Sequence, residues 1–264
     1  MYYLGIDIGS LSCDAVLIDA AGGMLAAAVV PTGARNKEAI RRVTDEVVRS
    51  SGIPHSGIRA VVSTGYGRDR VEERLTAVTE ISCHARGMRS LMPGAGVLID
   101  IGGQDSKAIL LGAEGQVADF AMNDKCAAGT GRFLEAMPRA LQVDIDELGG
   151  LDEGASGTQT ISSMCTVFAE SEVVSLIADG RPVNEIVSGL NRSIAARTVS
   201  LVRRIAPDPS AMRVAMSGGV ARNAGVVRAI SGILGSPVFV PELPDTVGAL
   251  GAALIARDRC AAVA

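Results

Sequence analysis

Two stretches of the sequence, LGIDIGSLSCDAVLIDAAGG (4–23) and VLIDIGGQDSKAILLGAEGQ (97–116), align with each other without a gap. The alignment places Asp7 on Asp100, Gly9 on Gly102 and Gly22 on Gly115. Each copy has an apolar strand, a polar turn and a second strand, which is the pattern of a β-hairpin. An internal duplication of this kind predicts two related lobes. We place them at residues 1–94 and 95–264, because Pro93-Gly94 breaks the chain between the two copies.

The turn of each hairpin is a candidate phosphate-binding loop. Successive backbone N–H groups and hydroxyls in such a turn can bind an anion. Two loops that face each other across a cleft can clamp a polyphosphate, with Asp7 and Asp100 left for hydrated Mg²⁺. The alternative is a pair of glycine turns with aspartate for turn chemistry. The matched pair of loops favours the phosphate interpretation.

A third glycine loop follows a strand predicted at Met212–Met216. It begins at Ser217, contains Gly218 and Gly219, and leads through Asn223 into a helix. A strand, a glycine pair and a helix bring the backbone close to a ligand. This loop suits the adenosine side of a nucleotide, and a structural turn is an equally weighted alternative.

Two cysteines each precede an amphipathic or apolar run. Cys126 lies in MNDKCAAGTGRFLE (122–135), and Cys165 lies in MCTVFAESEVVSLIA (164–178). A helix N-terminus favours a thiolate, although a lone cysteine is more often buried and inert. The wide separation is not that of a CxxC zinc motif. A symmetric dimer would bring four such cysteines together, which is the number that a cubane iron–sulfur cluster requires.

Composition excludes several functional classes. Hydrophobic residues make up 48% and charged residues 20% of the 264 residues, which is typical of an α/β protein. Aromatic residues make up only 3% and the net charge is −4, so nucleic acid is not an expected partner. No signal peptide or membrane span is expected. The 5 cysteines without a secretory signal predict a reducing cytoplasm rather than a disulfide framework.

The remaining segments follow an alternating α/β pattern. We expect helices at Asn36–Arg49, Gly67–Leu75 and Ser82–Leu91, a long helix from Pro182 to about Arg204, and a small-residue helix at Thr246–Arg257. Cys13 and Cys83 are interpreted as structural, as is His84, which follows Cys83 at a helix start. Cys260 lies in the C-terminal tail.

The order strand-DIGS-strand, strand-DIGG-strand and strand-SGGV-helix resembles the actin/sugar-kinase/acetate-kinase ATPase fold, an α/β fold of two duplicated lobes with a nucleotide cleft. The two cysteine stretches, together with VSTGYGR (62–68), LIDIGGQDSKAI (98–109) and GALGAALIA (248–256), narrow the resemblance. They resemble the activator ATPases of 2-hydroxyacyl-CoA dehydratases, which belong to one family with the ATPase subunits of benzoyl-CoA reductase.

The resemblance implies a cytoplasmic homodimer in anaerobic metabolism that binds ATP, Mg²⁺ and one [4Fe–4S] cluster. Cys126 and Cys165 stand at the cluster-ligand positions. Such a protein takes an electron from a donor such as ferredoxin or flavodoxin. It passes that electron, driven by ATP, to a separate 2-hydroxyacyl-CoA dehydratase or a related acyl-CoA reductase. In this sequence Asp14 stands where relatives usually have lysine, whereas the second hairpin retains Lys107.

The candidate site residues divide into two groups. Those assigned to catalysis are Asp7, Asp100, Gln104 and Asp105, with Gln104 or Asp105 expected to orient the attacking water. Those assigned to nucleotide binding are Gly9, Ser10, Leu11, Ser12, Gly102, Gly103, Lys107, Gly218, Gly219 and Asn223.

Three functional hypotheses compete. The first is an ATP-dependent activator of a 2-hydroxyacyl-CoA dehydratase, with the ATPase subunit of a benzoyl-CoA reductase-type complex as its near alternative. The second is a small-molecule kinase of the same fold, which has no use for paired cysteines at helix starts. The third is a scaffold that binds nucleotide without turning it over.

Overall fold

A computed structural model of the chain describes residues 1–124, 127, 129–161 and 165–262. It contains two five-stranded sheets with helices. The first sheet has the strand order β3-β2-β1-β4-β5, and the second has the order β8-β7-β6-β9-β10. The two orders are the same when β1 is matched to β6, β2 to β7, and so on to β5 and β10. The duplication predicted from the two hairpins therefore extends to a whole sheet, and the duplicated two-lobed α/β fold is confirmed.

The strands of the first sheet are β1 (Tyr2–Ile8), β2 (Ser12–Ile18), β3 (Met24–Pro31), β4 (Ile58–Thr64) and β5 (Thr76–Ala77). Those of the second are β6 (Val97–Ile101), β7 (Ser106–Leu111), β8 (Val117–Asn123), β9 (Val214–Ser217) and β10 (Val238–Phe239). In the first sheet, β1 pairs antiparallel with β2 and parallel with β4. This register places Asp7 opposite both Asp14 and Thr64.

The described residues form seven α-helices. They are α1 (Asn36–Ser51), α2 (Glu80–Leu91), α3 (Gly131–Leu141), α4 (Thr166–Ala178), α5 (Val183–Ile205), α6 (Ala224–Leu234) and α7 (Val247–Ala261). Helix α3 packs against α4, and α5 packs against α6. None of the helices in the described ranges has the length and hydropathy needed to cross a membrane.

One predicted helix, Gly67–Leu75, is wrong. Only Arg68–Arg70 forms a short 3₁₀ turn. The chain then returns to the edge of the first sheet, where Leu75 N–H donates to Val61 O at 2.7 Å and Val78 N–H donates to Ser63 O at 2.9 Å. Pairing with the sheet edge replaces the hydrogen bonds that a continued helix would have made.

The chain forms two compact units whose boundaries differ from a single cut at 94/95. One unit comprises Met1–Leu98, Ile109–Asp119 and Pro241–Ala264, and the other comprises Ile99–Ala108 and Phe120–Val240. The C-terminal helix α7 belongs to the first unit because it packs against β1, β2, β4 and α2. Small residues allow this close packing: a Cβ at Gly5 would lie 1.9 Å from Ala249 O, and one at Gly251 would lie 1.7 Å from Cys83 O.

Candidate functional site

The turns of the two hairpins have the same hydrogen bond. Gly9 N–H donates to Ser12 O at 2.9 Å, and Gly102 N–H donates to Asp105 O at 3.0 Å. These are equivalent residues in the two copies of the repeat. The turns thus share their backbone arrangement as well as their sequence pattern.

The first turn is held in place by one residue of the segment after β3. Thr32 donates from Oγ1 to Gly9 O at 2.9 Å and from its N–H to Leu11 O at 2.8 Å. Gly9, Ser10, Leu11 and Ser12 are all partly exposed. A fixed, partly exposed turn of this kind is suited to contact an anion through its N–H groups and hydroxyls.

Asp100, in the unit that contains the second turn, is a buried carboxylate with two strong partners. Lys107 Nζ lies 3.2 Å from its Oδ2, and Ser217 Oγ donates to its Oδ1 at 2.9 Å. Lys107 is itself buried, and its Nζ also lies 2.7 Å from Asp105 Oδ2. A buried charge requires this kind of pairing. The ammonium of Lys107 therefore pairs with Asp100, on β6, and with Asp105, in the turn. Gln104, also in the turn, is exposed.

Asp7, in the other unit, is buried beside a different partner. His84 Nε2, on α2, lies 3.5 Å from Asp7 Oδ2. Two glycine backbones enclose the carboxylate: a Cβ at Gly65 would lie 2.4 Å from Oδ1, and a Cβ at Gly248 would lie 2.1 Å from Oδ2. Gly65 also has a φ of 88°, which favours glycine. The position of Asp7 is therefore fixed by close backbone packing and by one imidazole.

Asp14 is a buried carboxyl that the sequence marked as a departure from its relatives. It is 4% exposed, accepts a hydrogen bond from Ser12 Oγ at 3.0 Å, and has no hydrogen-bond partner at Oδ1. Burial, and then the charges of Asp7 and Asp245, raise the pKa of Asp14 well above its usual value. Folding therefore favours the neutral carboxylic acid form of Asp14 over the carboxylate.

Substituting Asp14 should reveal its raised pKa in the pH dependence of the free energy of unfolding. A carboxyl whose pKa is raised by folding contributes stability that is complete below about pH 3.9 and is lost as the pH rises toward the folded-state pKa. Asp14→Asn has no such proton to lose. Its free energy of unfolding relative to the wild type should therefore increase with pH above about 4, by at most about 1.4 kcal/mol per pH unit.

Urea denaturation at pH 5 and pH 8 measures this difference. The exposed Glu73→Gln is the matched control in the same unit and should show no trend. A pH-independent effect of Asp14→Asn would mean that Asp14 is ionised in the folded chain.

The third glycine loop follows β9. Gly218 has a φ of 84°, and a Cβ there would lie 2.4 Å from Ile101 O and 2.9 Å from Asp100 Oδ1. Gly219 is exposed. Asn223 accepts a hydrogen bond from Val226 N–H at 3.0 Å and thus caps α6. The loop is therefore adjacent to Asp100, and the side chain of Asn223 serves the helix start.

The second hairpin turn is hydrogen-bonded to the start of α3. Gly102 O accepts from Gly131 N–H and Gly103 O accepts from Arg132 N–H, each at 2.9 Å. Gly103 O also accepts from Thr130 Oγ1 at 2.9 Å, and the same hydroxyl lies 2.6 Å from Ala127 O. Thr130 is fully buried. The candidate phosphate loop is thus joined to the segment that follows Cys126.

Of the two candidate cluster ligands, Cys165 is described and Cys126 lies outside the described residues. Cys165 is an exposed free cysteine at the N-cap of α4. Two nearby side chains on the same helix, Val167 at 66% and Phe168 at 68%, are exposed apolar groups. Helix α3 begins at Gly131 with Thr130 as its N-cap, so the helix begins after Cys126 rather than at it.

Two of the other cysteines, Cys13 and Cys83, do not suit metal binding. Cys13 and Cys83 are fully buried. Burial, followed by the charges of Asp14 and Asp7, raises the pKa of Cys13 far above its usual value. Burial also raises the pKa of Cys83 to about 12. Within the described ranges, no group of three or more histidine, cysteine or acidic side chains could hold a metal ion.

Three residues with functional contacts were not assigned a functional role from the sequence. They are His84, Thr130 and Ser217. Ser217 directly precedes the glycine pair, and Thr130 lies in the GTG that precedes α3, so both carried a local signal in the sequence. His84 carried none, because only the packing of α2 brings it to Asp7.

Comparison with known proteins identifies the class of this paired-hairpin fold. The chain matches the model of the BadF/BadG/BcrA/BcrD ATPase family over residues 4–256. The activator of lactoyl-CoA dehydratase from Anaerotignum propionicum is 48% identical over 258 residues, which are 98% of each chain. A benzoyl-CoA reductase component from Thauera aromatica is 30% identical over 213 residues, which are 79% of this chain and 74% of that protein.

A solved structure is similar over the whole chain. The activator of 2-hydroxyisocaproyl-CoA dehydratase from Clostridium difficile, with bound ADPNP, has a TM-score of 0.93 and 41% identity, covering 100% of this chain and 97% of that one. The fold and paired loops thus define an ATPase of the actin-like class. This chain belongs to the BadF/BadG/BcrA/BcrD ATPase family, which confirms the resemblance predicted from the sequence.

Proposed function

We propose that this chain is the ATP-dependent one-electron activator of a 2-hydroxyacyl-CoA dehydratase. The observation that carries the proposal is the hydrogen-bonded link between the second hairpin turn and the start of α3, in the same compact unit as an exposed cysteine at the start of α4. The 48% identity with a lactoyl-CoA dehydratase activator supports this role over that of a benzoyl-CoA reductase component, for which the identity is 30%.

The nucleotide is bound in this proposal by the three glycine loops. The first turn contributes backbone N–H groups and the hydroxyls of Ser10 and Ser12. The second contributes Gly102 and Gly103, and the third contributes Gly218 and Gly219. Lys107 acts indirectly, because its ammonium is buried between Asp100 and Asp105. Leu11 contributes through its backbone, and Asn223 fixes the helix after the third loop.

Asp7 and Asp100 are the carboxylates for hydrated Mg²⁺. Both lie at the ends of equivalent strands, and carboxylate oxygens are the ligands that Mg²⁺ prefers. Asp105 already binds Lys107, whereas the amide of Gln104 is exposed. We therefore assign Gln104 to orient the attacking water and Asp105 to hold Lys107 beside Asp100.

A [4Fe–4S] cluster is the cofactor that the cysteines fit. One chain offers Cys165 and, by the sequence, Cys126, so a second copy is needed to complete four thiolate ligands. The exposed apolar side chains beside Cys165 fit a surface that another copy covers. When bound, such a cluster stores and transfers one electron at low potential. The proposed assembly is thus a cytoplasmic homodimer with one shared cluster.

Coupling between the two sites is assigned to Thr130. Its hydroxyl has one proton but two acceptors, Gly103 O in the hairpin turn and Ala127 O in the segment after Cys126. A nucleotide that shifts the turn changes which acceptor is favoured. Since a ligand shifts an equilibrium only through different contacts with its two states, this hydroxyl is a suitable link between ATP and the cysteine segment.

Thr130→Val should uncouple the ATPase from the cluster. Valine retains the shape but donates no hydrogen bond. Both carbonyls keep a backbone donor, Arg132 N–H for Gly103 O and Thr130 N–H for Ala127 O, so the cost in stability should be that of one hydrogen bond, about 0.5–1.5 kcal/mol. ATP hydrolysis should stay within about threefold of wild type, because the carboxylates are untouched. Iron removal by a chelator, which should proceed at different rates with ADP and ATP in the wild type, should become insensitive to nucleotide.

Thr130→Ser retains the hydroxyl and is the matched control. It should keep the nucleotide dependence of iron removal. If Thr130→Val also kept that dependence, coupling would have to run through the backbone hydrogen bonds of Gly131 and Arg132 instead.

The proposed function is tested by anaerobic purification and reconstitution. The untagged chain should contain iron and acid-labile sulfide and hydrolyse ATP. With ferredoxin or flavodoxin as electron donor, it should activate a purified 2-hydroxyacyl-CoA dehydratase only when ATP is present. Iron-free protein that phosphorylates a small molecule would support the kinase alternative, and activation of a benzoyl-CoA reductase alone would support the other family role.

A further inference from the structure

Each of the two hairpins has a buried aspartate, and the two aspartates have different partners. In the second, the buried carboxylate of Asp100 is neutralised by Lys107, 3.2 Å away on the neighbouring strand. The residue equivalent to Lys107 in the repeat is Asp14, which lies opposite Asp7 in the register of β1 and β2. The first hairpin therefore has an acidic residue at the position that holds a lysine in the second.

A buried carboxylate without a cation or hydrogen-bond donor is costly. Asp14 does not stabilise the carboxylate of Asp7. The Oδ1 atom of Asp14 has no hydrogen-bond partner, and the charge of Asp7 raises the pKa of Asp14. The imidazole that faces Asp7 is that of His84, whose Nε2 lies 3.5 Å from Oδ2. His84 is buried, and a Cβ at Gly248 would lie 2.8 Å from Nε2, so the ring is closely packed beside α7.

We propose that His84 positions Asp7 through its Nε2–H, and that it performs in the first hairpin the role that Lys107 performs in the second. His84 does not touch nucleotide and is a positioning residue. By holding Oδ2, it would leave the other oxygen of Asp7 available to hydrated Mg²⁺. The inference rests on the proposed function because it takes Asp7 to be the carboxylate for hydrated Mg²⁺ in the ATP site.

Because the two hairpins are equivalent, the proposal can be tested by placing the lysine of the second hairpin in the first and measuring whether nucleotide affinity is restored. His84→Met removes the donor while filling much of the imidazole volume, and His84→Gln retains an amide donor near the position of Nε2. The double variant Asp14→Lys/His84→Met transfers the arrangement of Lys107 and Asp100 into the first hairpin. Calorimetric titration with ADPNP, with Mg²⁺ and with EDTA, measures nucleotide affinity, and steady-state kinetics separate kcat from KM.

We expect His84→Met to weaken ADPNP binding at least tenfold in the presence of Mg²⁺, as is common when a residue that orients a metal ligand is lost. Binding in EDTA should be unchanged. His84→Gln should stay within about threefold of wild type, and Asp14→Lys should restore the affinity of His84→Met to that range. Equal losses with and without Mg²⁺ would indicate a structural role only and overturn the inference, as would a folded double variant that shows no recovery.

A cycle of unfolding free energies tests the contact without nucleotide. Asp7→Asn and His84→Met should be non-additive in urea denaturation, because each removes the same interaction. Additive effects overturn the inference. If His84→Met does not fold, the double variant must fold, since its lysine supplies the donor that the imidazole provided; failure of both also overturns the inference. A wild-type chain that binds no nucleotide overturns the proposed function instead, and the cycle still decides the His84 contact.

Discussion

Cys165→Ser should abolish the proposed iron–sulfur cluster and, with it, all activation of a 2-hydroxyacyl-CoA dehydratase. In the proposed dimer, one substitution removes two of the four thiolates, because each chain contributes the same cysteine. A serine hydroxyl is a poor replacement for a thiolate at such a site, and two ligands do not retain a cubane cluster. Iron and acid-labile sulfide should fall from about four of each per pair of chains to background, and the brown colour should be lost.

Cys260→Ser is the matched control, since Cys260 is also a partly accessible free cysteine but lies on α7 in the other compact unit. It should keep full iron content and activity. ATP hydrolysis by Cys165→Ser should persist, because the substitution leaves the hairpin turns and their carboxylates untouched. Iron content at wild-type level in Cys165→Ser would exclude this cysteine as a cluster ligand.

Asp100→Asn should lower the kcat of ATP hydrolysis about a hundredfold or more, the scale expected when a preorganised charge is removed from a phosphoryl-transfer site. The amide retains the shape of the carboxylate and can still accept from Ser217 Oγ. Lys107 retains Asp105 as an ionic partner at 2.7 Å. The fold should therefore survive better than it would if the buried lysine lost both carboxylates.

Iron content and thermal unfolding, measured beside ATP turnover, separate the loss of catalysis from the loss of structure. The exposed Asp146→Asn is the control in the same compact unit and should hydrolyse ATP as the wild type does. Undiminished turnover in a folded Asp100→Asn variant would show that the second hairpin is not part of the ATPase site.

The exposed apolar side chains of α4 favour an assembly of two copies. Val174 and Ile177 extend the exposed apolar surface that begins at Val167 and Phe168. Several such side chains on one helix mark an interaction surface more often than a solvated one. Cys165 lies at the end of this surface, so a second copy that covers it would also bring the second thiolate near the first. The proposed homodimer and the proposed shared cluster would thus depend on the same surface.

The sequence by itself determined the duplication. Apolar strands, glycine turns and paired aspartates are local patterns, and the repeat of Asp7-Ile8-Gly9 at Asp100-Ile101-Gly102 made the two hairpins recognisable without coordinates. The same holds for Cys165, whose place before an apolar run predicted the helix start that the structure has. These features depend on residues that are neighbours along the chain.

Only the tertiary structure decided how the charges are paired. The raised pKa of Asp14 could not be recognised, because it depends on burial, on the charge of Asp7 and on that of the distant Asp245. His84 could not be assigned to Asp7, because α2 and β1 are far apart in the chain and both pack against α7. Nor could α7 be placed with the N-terminal residues, since contact with Gly5 joins the two ends of the chain. Electrostatic pairing and close packing depend on distance in space, which the order of residues does not encode locally.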